Sequence, residues 1–178
     1  MKHLLFTGFA AALLMTATPA LALTQAQFDC PSQATGSKGA EVFAAAMLAN
    51  DEGHAAALAE GTKLTAVVKA CMAQLKIPEA QSDGYFDYAL HRISHDGFSS
   101  LLGTTGFPVA VIDKTFDFGP GRANPVMKDL NDAQIGKLIE ELGKAGFKIE
   151  GVPQSTWQLV GAYIVATSTM YEKRAALD

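Results

Sequence analysis

The clearest hydrophobic pattern in the chain runs from Thr62 to Leu75, where Leu64, Val67, Val68, Cys71 and Leu75 share one face of a helix. A second helix is predicted from Ser37, with Val42, Phe43, Ala46 and Met47 on its apolar side. Asn50 and Asp51 interrupt, and a short alanine-rich helix through His54 and Leu58 is expected to end at Gly61. After Ile77-Pro78, Asp83 can cap a helix carrying Phe86, Leu90 and Ile93, with Asp96-Gly97 as its terminator. Phe107 to Ile112 is the one β-like run, and Asp113-Lys114 can turn it into Thr115 to Phe118, a short β-hairpin at 107–118. Gly119-Pro120-Gly121 and Asn124-Pro125 mark an irregular stretch that reads as a binding loop or simply as a long connection. Asn131 with Gln134, and Ser155 with Gln158, are capping-box patterns that open two more helices. The last, from Trp157 to about Ala176, is apolar nearly all round and belongs at the centre of a bundle or at an interface.

The N-terminus departs from this alternation. Lys2 precedes an apolar run from Leu4 to Met15, and Pro19 precedes Ala20-Leu21-Ala22, the small-x-small pattern that a signal peptidase cuts. Residues 1–22 therefore read as a cleavable secretory signal peptide. The run is about twelve residues, short of the roughly twenty needed to cross a bilayer, so no membrane span is expected in the mature chain. Residues 23–36 show no sustained period and contain Cys30-Pro31, which suggests an extended N-terminal arm. Residues 37–178 then form a single helical domain, about one domain in length.

The formal charge of −4 becomes slightly more negative when Lys2 is removed, and no basic patch stands out. That disfavours nucleic acid as a partner, because phosphate binding rests on clustered Lys and Arg. The two cysteines of the sequence, Cys30 and Cys71, are expected to pair in the oxidising compartment to which a leader would deliver them. The fold class is thus a mainly α, single-domain helical bundle with a short hairpin and one disulfide.

Chemistry is sparsely signalled. Asp87, His91 and His95 are spaced four apart and would project from adjacent turns of one helix face, where two imidazoles can chelate a transition metal; His54 could complete the set. No nucleophile elbow, Ser-x-x-Lys pair or phosphate-binding glycine loop is present. Thr105-Gly106-Phe107-Pro108-Val109, followed by the expected hairpin and the helix from Asn131, resembles the proline loop and closing hairpin of thioredoxin-like oxidoreductases, although Cys30 is followed by Pro31-Ser32-Gln33 and not by a second cysteine. The resemblance implies at most a degenerate redox fold. Cys30 and the Val67-Val68-Lys69-Ala70-Cys71 helix are similar in layout to small periplasmic acid-stress chaperones, in which one disulfide ties an N-terminal arm to a central helix. The combination of a patterned core with no catalytic motif leads to the expectation of an exported, non-catalytic protein that binds a partner protein or a small apolar ligand. The alternatives are a metal-binding protein and an enzyme whose residues converge only in the fold.

Overall fold

A computed structural model describes residues 22–49 and 54–178, and every regular element among them is helical. The order is α1 (Gln25–Leu48), α2 (His54–Gln74), a single 3₁₀ turn (Glu79–Gln81), α3 (Ser82–Thr104), α4 (Val109–Phe116), α5 (Asp132–Lys144) and α6 (Gln154–Ala175). The signal-peptide reading of 1–22 falls outside the described residues except for Ala22, as does the Asn50-Asp51 interruption. No described helix is long and apolar enough to cross a membrane.

Helices α3 and α6 run side by side through the whole molecule and divide the core into two clusters. Toward the start of α3 and the end of α6, Tyr85, Tyr88 and Ile93 pack with Met170 and Leu177 against Phe28 and Phe43 of α1 and Leu64 and Val68 of α2. Toward the other end, Phe98 and Leu102 of α3 and Val160 and Ile164 of α6 meet Ile112 and Phe116 of α4 and Leu138 and Leu142 of α5. The two helices supply both clusters, which accounts for an α6 that is apolar on most of its circumference. The Asn131–Gln134 capping box is present in full, with each side chain bonded to the other's backbone N–H. That of Ser155 is not: α6 opens earlier, after Pro153, without a side-chain cap.

The expected extended arm is instead the first half of α1. Thr24 and Gln27 form a capping box, and the helix proceeds through Pro31 to a break at Gly36, whose φ of 68° lies in the left-handed region open to glycine. Proline inside a helix lacks the N–H that should bond the carbonyl four residues earlier. Here that carbonyl, on Gln27, accepts the Tyr85 hydroxyl at 2.7 Å, and the next, on Phe28, accepts the Tyr88 hydroxyl at 3.1 Å. The phenols, buried against α1, keep their protons, with pKa pushed up to about 12 chiefly by loss of water. Cys30 and Cys71 form the expected disulfide, joining α1 to α2 with a Cα–Cα separation of 6.0 Å.

The hairpin is also corrected. Val109–Phe116 is α4, and Ile112, Thr115 and Phe116 turn one face to the core at helical spacing. The β-branched run misled, because burying one apolar face at spacings of three and four satisfies it as well as strand pairing does. With the hairpin goes the resemblance to thioredoxin-like proteins. Two glycines read as terminators lie inside helices: Gly61 within α2 and Gly97 within α3. At Gly97 the reason is packing, since a Cβ built there would stand 2.1 Å from the Ala40 carbonyl oxygen and 2.7 Å from Ala44 Cβ. Backbone of α1 rests directly on α3.

Replacing Gly97 with Ala should therefore force α1 off α3 and cost about 3 kcal/mol in urea unfolding, at the upper end of overpacking penalties; a loss under about 1 kcal/mol would show that the crossing is slack. Reduction of Cys30–Cys71 removes a tie worth about 4 kcal/mol in the chain-entropy picture and should lower Tm by roughly 10–20 °C. Phe28 and Pro31 are buried by packing of their own, so far-ultraviolet circular dichroism at 25 °C should stay helical. Alkylation and mass spectrometry of unreduced protein should detect no free thiol.

Candidate functional site

Residues with chemical capacity collect at the middle of α3, in two groups. The first is a chain of polar contacts through the core. Asp96 accepts from Ser32 of α1, from Arg92 Nε at 3.1 Å and from the His95 ring at 2.9 Å between Nδ1 and Oδ1. The other ring nitrogen of His95 lies 3.4 Å from the Tyr163 hydroxyl of α6, which donates to Asp113 of α4 at 2.7 Å. Four helices thus contribute to one line, Ser32–Asp96–His95–Tyr163–Asp113. Burial by itself would raise the Asp96 carboxyl, but hydrogen bonds from His95 and Ser32 and the charge of Arg92 outweigh it and hold the pKa below the ordinary carboxylate range. The Tyr163 hydroxyl is driven strongly upward by burial and by its bond to the Asp113 carboxylate, so it stays a donor. Tyr163 is 1% exposed, which leaves a substrate no access to its hydroxyl.

The second group is an apolar groove where the end of α1 lies over α3 and α6. It holds about 160 Å³ and is lined by Met47, Leu48, His91, Ser94, Phe98, Ala162, Val165 and Ala166. Met47 and Leu48, on the last turn of α1, are 50% and 41% exposed, and Val42 and Leu58 are also open to solvent. The sequence pattern assigned Val42 and Met47 to the buried side of their helix. Ser94 bonds back to the Leu90 carbonyl at 2.8 Å, so the groove floor offers little unsatisfied polarity. His91 sits at its edge with its pKa lowered, first by burial, with Lys173 adding to the effect and Asp87 and Glu172 opposing it.

The sequence-predicted metal set is thus divided among other tasks. Asp87 accepts from Lys173 Nζ at 3.0 Å, His91 faces the groove, and His95 is bonded to Asp96 and Tyr163. His54 opens α2, and its side chain lies outside the described residues. Among the described residues no three His, Cys, Asp or Glu side chains converge as a metal-binding group. Four-residue spacing puts side chains along one face, but neighbouring helices decide what each one meets.

A larger cleft of about 500 Å³ opens between the loop after α4 and the end of α6, with Arg122, Asn124, Val126, Tyr171, Arg174 and Asp178 in its lining. Its loop is largely self-satisfied. Asn124 exchanges hydrogen bonds with the Gly119 backbone in both directions, and the Ala123 N–H donates to Asp117. Arg174 is occupied by the Phe28 ring at 4.5 Å and by Gln25. The irregular stretch is therefore an ordered wall of this cleft.

Comparison with protein-family models, curated proteins and solved structures gives no match.

Asp96 provides a check on the polar chain. Its depressed pKa means that the folded state binds fewer protons than the unfolded one, whose aspartate titrates near about 3.9; its stabilisation is full above that pH and lost as pH falls through the folded pKa. Asp96→Asn should cost roughly 1–3 kcal/mol at pH 7, with the gap to wild type shrinking below about pH 4. A gap equally large at pH 3 would mean that shape, and not charge, is what the position needs.

Proposed function

We propose that this is an exported, disulfide-stapled helical protein that binds a partner protein by receiving one of its apolar side chains in the groove between α1, α3 and α6. The observation that carries this reading is the groove itself, flanked by Met47 and Leu48 exposed on the last turn of α1. Its volume argues for a protein partner over a free ligand: about 160 Å³ falls short of the roughly 300–1,000 Å³ of small-molecule sites but accommodates a single large side chain. Methionine at the rim suits adaptable apolar contacts, because its thioether side chain repacks at low cost. Export is supported by the leader pattern of residues 1–22 together with the Cys30–Cys71 bond, which persists in oxidising compartments. The enzyme alternative has the partly buried polar chain as its best candidate, and that chain lines neither cleft.

Selection of phage-displayed peptides on the oxidised mature protein provides the test. The expected winners carry a Leu, Phe or Trp anchor, and filling the groove by Ala162→Phe should weaken them roughly 10- to 100-fold, as loss of a central anchor does. Peptides that bind the filled variant as tightly as wild type would remove the groove from consideration.

A further inference from the structure

Leu23 is buried, 8% exposed, while Ala22 before it is open to solvent. The Leu23 N–H points at the Leu177 carbonyl, 3.5 Å away, and its side chain joins Phe28, Tyr85 and Leu177 in the cluster between α1 and the end of α6. Thr24 caps α1 immediately afterwards, and Arg174 of α6 bonds Gln25 at 3.0 Å and covers the Phe28 ring. The start of α1 and the end of α6 are thereby sewn into one seam. The peptide bond between Ala22 and Leu23, the bond after the small-x-small pattern, lies at the edge of that seam with the side chain on its C-terminal side buried. A processing peptidase holds its substrate extended, with the flanking side chains in its own pockets. Leu23 cannot occupy such a pocket and the seam at once.

We propose that Ala22–Leu23 is a processing site open only until the α1/α6 seam closes, and that the amino group released by the cut becomes a structural member of the seam. The proposal rests on the reading of residues 1–22 as a cleaved leader. Hydrolysis adds one water across the bond: the hydroxyl goes to the Ala22 carbonyl carbon, which departs as the leader's carboxylate, and the nitrogen stays on Leu23 and is protonated to an ammonium. The amide donor facing the Leu177 carbonyl is thus replaced by a cationic one, and hydrogen bonds from a charged donor are the stronger kind. It also stands beside the C-terminal end of α6, where the helix dipole favours positive charge. Cleavage and seam closure are therefore ordered, the first permitting a tighter form of the second.

Time of addition tests the order on a single molecule. Full-length precursor is unfolded, then diluted into refolding buffer with detergent, and purified signal peptidase is added either at once or after refolding and oxidation are complete. Late addition should cut at least roughly tenfold more slowly, since cleavage then waits on transient opening, and the product of early addition should begin at Leu23. Leu177→Ala, confirmed as folded by circular dichroism, should restore much of the late rate. Independently, the Leu23 amine of the folded mature protein should react with an amine-selective reagent more slowly than after reduction in urea. Equal cutting rates at both times, or equal amine labelling in both states, overturns the proposal. A precursor that is not cut even on early addition, or is cut elsewhere, overturns the leader reading and the proposal with it.

Discussion

The crossing of α1 over α3 at Gly97 is the constraint from which the other contacts of the first helix follow. Carbonyl oxygen of one helix rests where a Cβ of the other would be, so the axes are closer than ordinary side-chain interdigitation allows. At that separation short side chains bridge the two helices on both sides of the contact: Ser32 reaches Asp96, and Ser100 donates to Glu41 at 2.6 Å. Farther along, the two tyrosine hydroxyls reach α1 carbonyls directly. Each of these bonds requires its partners within about 3 Å, so a displaced α1 would break them or force their side chains to rearrange.

The groove is a by-product of the same geometry. With α1 pressed onto α3 at Ala40, its final turn lines a groove that also holds the small residues Ser94, Ala162 and Ala166. Ser94, Ala162 and Ala166 are small beside Met47, Leu48 and Phe98, and the two α1 side chains are left half in solvent. Burying such a rim against a partner releases water from it, the ordinary driving force of association. The polar line through His95 and the buried Tyr163 joins four helices in register, a use of partly buried polarity that specifies arrangement more than it adds net stability.

The mainly helical class, the disulfide, the Asn131 cap and the buried nature of α6 were legible in the sequence, because each depends on local pattern or on composition. What was not legible depended on partners distant in the chain. Gly97 carries the same local signal whether it ends a helix or admits another backbone, and only Ala40 decides. The first half of α1 was hidden by Pro31, although Thr24 and Gln27 displayed the capping pattern that was recognised at Asn131. The groove residues Ala162, Val165 and Ala166 have no chemical signature, and Tyr163 and Asp113 become a pair only when α4 and α6 meet. The histidine spacing was legible as one face of a helix, but what each side chain meets was not: Asp87 pairs with Lys173, and His95 contacts Asp96 and Tyr163.

Pro31 and Tyr85 form a dependency that extends beyond packing. In this chain the phenol supplies the proton that proline cannot, so deleting the hydroxyl leaves a partly buried carbonyl without that donor. Were Pro31 an ordinary residue, its own N–H would serve that carbonyl and the phenol would be redundant there. The effect of changing position 85 is therefore conditional on the residue at position 31, and the two substitutions are not additive. An evolutionary path that loses the tyrosine first passes through a destabilised intermediate, whereas one that loses the proline first does not. The order in which these two positions can change is written into a single hydrogen bond.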